Sequence, residues 1–97
     1  MSINVGNLPH VSFGQSGSAH LDGGESAASL GTVVSITMLE DTTFTTLTQT
    51  AAIFTGTGTS THGNSVANTD VFQGGVTIFG SWSAVTVNTG SCICYLK

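Results

Sequence analysis

Charge is what this chain mostly does without. It has one cation, Lys97, and no arginine, against Asp22, Glu25, Glu40, Asp41 and Asp70, for a formal net charge of -4. Charged residues make up 6% of the sequence, where about 25% is usual. Nothing is available to neutralise phosphates, so nucleic-acid binding through the backbone is excluded, and a basic membrane-surface patch with it. A surface so poor in charge gains little protection from self-repulsion, which points to a protein that works inside an assembly. Long apolar runs are missing too, none reaching the ~18 residues of a membrane span. The opening MSINVGNLPH shows neither the basic start nor the apolar block of a secretory signal. The expectation is a chain that stays in the cytoplasm where it is made or joins a particle assembled there.

Cysteine is scarce. Cys92 and Cys94 stand two positions apart, and on one face of a strand their Cα atoms would lie about 6.6 Å apart, too far for an unstrained bridge. Zinc sites need a second ligand pair at suitable spacing, and the sequence has none. Two small buried hydrophobes in a C-terminal strand is the expectation.

What the chain does have is Thr, Ser, Asn and Gly, together with Phe13, Phe44, Phe54, Phe72, Phe79, Trp82 and Tyr95, enough for one modest core in its 97 residues. Residues 1–29, including GQSGSAHLDGGESAAS, are rich in glycine and serine and thin in hydrophobics. They read as an extended N-terminal arm, with one short strand at Val11 and Phe13 and at most a helical turn in SAASL. Residues 30–97 read as a β domain. Val34, Ile36 and Met38 alternate with Val33, Ser35 and Thr37, the period of a strand. Phe44 and Leu47 are three apart and cannot share a flat strand face, so a bulge or turn is expected near Thr45-Thr46. GTGTSTHGNS reads as a flexible loop and residues 68–72 as a short strand. Further on, Val76, Ile78 and Trp82 share a face, with Gly80 giving space, whereas Val85 and Val87 fall on the other. A bend or bulge near Ser83-Ala84 reconciles them. Asn88-Thr89-Gly90 reads as a hairpin turn before SCICYLK. The expected fold is all-β: a small antiparallel β-sandwich or barrel of six to eight short strands.

Candidate sites are few. In LEDTTFTTL, Glu40 and Asp41 would point to opposite faces of a strand, unsuited to paired acid–base chemistry. A turn pinned by Asp41 accepting from the N–H of Thr42 or Thr43 is the first reading, and an ion ligand the second. His10, His20 and His62 sit in Gly/Ser-rich segments with no ligand spacing and read as exposed loop residues. No GxSxG elbow and no lysine-bearing phosphate loop occurs, so no catalytic residue, cofactor or metal site is expected and the chain is not expected to be an enzyme. Threonines alternate at Thr43 and Thr45, at Thr46, Thr48 and Thr50, and from Thr55 to Thr61. Without a recurring period these ladders read as β-propensity on solvated faces.

Two segments carry a family resemblance. Residues 39–50, LEDTTFTTLTQT, and residues 75–97, GVTIFGSWSAVTVNTGSCICYLK, resemble short proteins of tailed bacteriophages, notably marine ones, with the patterns LEDTxFxxLT and GxTIxGxxTxxTLxSGxVIAY. The matching positions are Leu39, Glu40, Asp41, Thr42, Phe44 and Leu47, then Gly75, Thr77, Ile78, Gly80, Val85, Thr86, Gly90 and Tyr95. Cys92 and Cys94 depart from the pattern, and the N-terminal arm is not part of it. The resemblance implies a virion structural protein, a capsid decoration or cement protein or a tail accessory, made in the host cytoplasm. Its expected partners are the major capsid protein and itself, as a homo-oligomer and most simply a trimer, with no nucleic acid and no membrane. A glycan- or surface-binding module of a phage tail or adhesin, using Trp82 or Tyr95 as a sugar platform, is the alternative.

Overall fold

The computed structural model describes residues 17–28 and 30–97. They form an all-β fold without a helix: β1 (Ser18–Asp22), β2 (Val33–Met38), β3 (Thr43–Gln49), β4 (Thr77–Thr89) and β5 (Ser91–Leu96). Every pairing is antiparallel, in the order β1-β5-β2-β4-β3.

The 13-residue β4 is the spine. Trp82 is its shared rung, with Val33 of β2 across one edge and Gln49 of β3 across the other. Beyond β2, residues 24–27 take over the same edge of β4. Gly24 N donates to Val87 O at 2.8 Å, Ala27 N to Val85 O at 2.8 Å, and Val87 N to Glu25 O at 3.0 Å. These residues continue directly from β1, which pairs with β5, so the sheet curls back on β4 as a small barrel-like roll. Its interior holds Val33, Ile36, Met38, Trp82, Cys92 and Cys94, with Phe44, Leu47, Val85 and Val87 continuing the core beneath β3.

Each irregularity in the hydrophobic period marks a register shift. Phe44 and Leu47 are both buried because the pairing slips between Phe44 and Thr46, the bulge that their spacing demands. In β4, Thr48 faces Ala84 and Gln49 faces Trp82, so Ser83 is the extra residue and Val85 and Val87 turn inward after it. Gly80 leaves room for the indole: a Cβ there would stand 2.7 Å from the Trp82 ring. In β2 the slip between Val33 and Ser35 buries Val33 and turns Val34 partly outward, out of step with Ile36 and Met38.

Four local expectations are corrected. The boundary at residue 29 is too late, because Ser18–Asp22 is a strand of the sheet and Leu21 and Ala27 lie in the core. SAASL forms no helical turn over its described residues, since Ser26 bridges to Thr86; Val11 and Phe13 lie outside the described residues. Residues 68–72 form no strand beyond the isolated bridge of Phe72 to Thr42. The turn at residues 88–90 closes no hairpin. Both edges of β4 are occupied there, by β3 and by residues 24–27, so Gly90 sends the chain to pair with β1 and β2 instead.

Candidate functional site

The acidic pair sits at the corner between β2 and β3, and both side chains accept hydrogen bonds there, Asp41 from a backbone N–H and Glu40 from a hydroxyl. Asp41 Oδ1 accepts from Gly74 N at 3.0 Å, not from Thr42 or Thr43 as its position in the sequence implied. Glu40 Oε2 accepts from Ser91 Oγ at 3.0 Å. Thr42 is buried, and its hydroxyl lies 2.8 Å from Glu40 O and 3.0 Å from Ser91 O. Thr42 and Phe72 also exchange two backbone bonds of 2.8 Å, and the Phe72 ring meets Phe44 edge-on at 5.4 Å. LEDTT is therefore a junction that fastens the loop before β4 and the start of β5 to the β2–β3 corner.

The other candidates disperse. His20 is on strand β1 rather than in a loop, exposed, with Nε2 3.6 Å from Asp22 Oδ1. His62 is exposed in the loop between β3 and β4 and shares a 2.9 Å bond with Thr61; His10 lies outside the described residues. Cys92 and Cys94 are buried free thiols facing the core. The hydrogen bond that Cys94 shares with Cys92 pushes the Cys94 thiol well above its ordinary value, and burial adds to the shift. Burial shields both thiols from reagents.

Trp82 is 1% exposed, and its Nε1–H donates to Thr55 O at 2.7 Å, so it offers no ring face to a sugar. The segment read as a flexible loop is held by the Gln49 amide, which bonds Phe54 O at 3.3 Å and Gly58 O and N at 3.1 Å each. The threonines of that segment do not form a strand face; Thr57 instead engages the edge of β3 at Leu47.

What remains is surface. On the outer face of the sheet, Ser18, Tyr95, Ser35 and Phe79 form one cross-strand row, and His20, Ile93, Thr37 and Thr77 the next. Thr37 and Thr77 are joined at 2.8 Å through their hydroxyls. Phe79, an expected core residue, is 65% exposed, and Ser35 is buried between its aromatic neighbours in the row. No side chain in either row carries a fixed charge. Periodicity could not have assigned this face a role, because alternation places residues without saying what covers them.

Among the described residues no buried side-chain nitrogen or oxygen lacks a partner, and no three His, Cys, Asp or Glu side chains are grouped to hold a metal. The outer sheet face presents apolar side chains and hydroxyls. No protein-family model, no curated protein and no solved structure matches the chain.

Proposed function

We propose that this protein is a virion structural component, a decoration or cement protein that lies on the major capsid protein lattice of a tailed bacteriophage and stabilises it. The observation that carries the reading is the central part of the sheet's outer face, where Phe79, Tyr95 and Ile93 stand among serines and threonines with no fixed charge in their rows. A face of this kind gains by being covered with other protein. Copies of the chain would associate through it, most simply as a trimer about a symmetry axis. Ion pairs contribute little in so uncharged a chain, and avidity over many identical lattice sites makes a weak individual contact sufficient.

The resemblance supports the same reading. β3 lies in one of its two segments and all of β4 and β5 in the other, and β3 pairs with β4 from Thr43↔Thr89 to Gln49↔Trp82. The β3 and β4 parts of the two segments thus lie side by side in the sheet, with β5 set apart from β4 by β2.

Mass spectrometry of purified virions, with copy number, tests the proposal. Hundreds of copies per particle place the protein on the capsid, a handful place it on the tail, and none removes the virion reading.

A further inference from the structure

The corner that contains Glu40 and Asp41 has a second property. Its two backbone segments, residues 38–42 and 72–76, are laced together: Met38 N donates to Val76 O at 2.9 Å, Gly75 N to Met38 O at 2.8 Å, and Gly74 N to Asp41 Oδ1 at 3.0 Å. On and beside this framework stand three aliphatic side chains in water, Leu39 at 49% exposure, Val71 at 59% and Val76 at 40%. Glu40 and Asp41 adjoin them. Leu39 N bonds Ser91 O at 3.0 Å, and on the far side of Ser91 its strand partner is Asp22, whose N–H is capped by Glu25 Oε1 at 2.7 Å. Four of the chain's five carboxylates therefore gather at this end of the roll, while Lys97 follows the opposite end of β5.

We infer that this corner is the face that docks on a different protein, one whose surface carries lysine or arginine side chains around an apolar contact. The inference rests on the reading above that the protein works by lying against other protein. Charge complementarity selects the occupant. A second copy would set carboxylates against carboxylates with no cation to separate them, and a nucleic acid or an anionic lipid surface is repelled for the same reason. The aliphatic trio supplies the contact area and the carboxylate rim supplies steering and orientation. Self-association is left to the rows of the outer sheet face around Phe79 and Tyr95.

The test uses the full chain and a defined probe: a peptide of alternating lysine and leucine, titrated while backbone amide shifts are followed by NMR. A glutamate–leucine peptide serves as the counterpart. The expected result is shifts centred on residues 39–42 and 71–76 with the basic peptide and none with the acidic one. E40Q/D41N keeps the oxygens that accept from Ser91 and Gly74 while removing two charges, and it should bind about tenfold more weakly. Leu39→Ser should weaken binding similarly, and Phe79→Ser should leave it unchanged. Shifts centred elsewhere, no shifts, or unchanged affinity in E40Q/D41N would overturn the inference. Rebinding to particles stripped of the protein separates it from the parent reading. Wild type that rebinds beside an E40Q/D41N variant that does not supports both. Equal rebinding by the two proteins overturns the corner alone. If wild type fails to rebind while the peptide result holds, the virion reading falls and the chemistry of the corner stands.

Discussion

The indole N–H of Trp82 reaches across the fold to the carbonyl of Thr55 at 2.7 Å, joining the spine of the sheet to the long loop between β3 and β4. Trp82→Phe removes the donor and keeps a smaller aromatic ring in the core. Trp82→Phe leaves a part-buried carbonyl unsatisfied and should cost about 1–3 kcal/mol in chemical denaturation. Trp82→Ala adds a cavity and should cost about 3–5 kcal/mol. In the native protein the tryptophan emission should be blue-shifted and unquenched by iodide.

Gly90 and Gly75 separate backbone strain from crowding. Their φ angles are nearly equal, 92° and 89°, in the left-handed region that resists a side chain. A Cβ at Gly75 meets nothing within 4 Å, whereas one at Gly90 would collide with the Asp41 carbonyl and stand 2.7 Å from Thr42 Oγ1. Gly75→Ala should therefore cost about 1–2 kcal/mol. Gly90→Ala should cost roughly 3 kcal/mol or more, because the β2–β3 corner has to move as well. Equal unfolding midpoints for the two variants would contradict the close packing of the corner against the start of β5.

The buried Cys94 thiol sets an alkaline limit. The pKa of Cys94 is raised in the folded state by its bond to Cys92 and by burial, so the unfolded chain loses that proton first. The stabilisation is fully present below the unfolded thiol value, about 8.5, and declines as pH rises above it. For one thiol the slope approaches 1.36 kcal/mol per pH unit, and Cys94→Ala should flatten it. Both cysteines should resist thiol reagents in the native protein and react on denaturation.

Truncation distinguishes the arm from the sheet. A chain starting at Gly17 keeps every hydrogen bond described here, including Leu96 N to Gly17 O at 2.8 Å, and should remain folded. One starting at Leu30 loses β1 together with the buried Leu21 and Ala27. It exposes an edge of β5 and should unfold or aggregate. Circular dichroism and thermal melting of the two fragments decide this.

The sequence was most legible where burial dictates a period. The slips at Thr45 and Ser83 follow from Phe44–Leu47 and from Trp82–Val85, because inward residues at odd spacings leave a strand no other geometry. Strand β1 was opaque for the converse reason. SAHLD has one buried side chain, Leu21, and an edge strand among glycines needs no more. The false hairpin at Gly90 shows a different limit: a local turn signal cannot say which edges of β4 are already taken. The same holds at the candidate site. LEDTT was recognisable as a turn, but the group that Asp41 holds, Gly74, is 33 residues away. Nothing local marks residues 38–42 and 72–76 as neighbours.

Electron cryo-microscopy of intact particles from the source tests the central claim most directly. The account predicts β-rich density of this roll's size on the outer surface at symmetric lattice positions, with residues 39–42 turned toward a basic patch of the shell. A bare lattice on particles that hold no copy of the chain would contradict it.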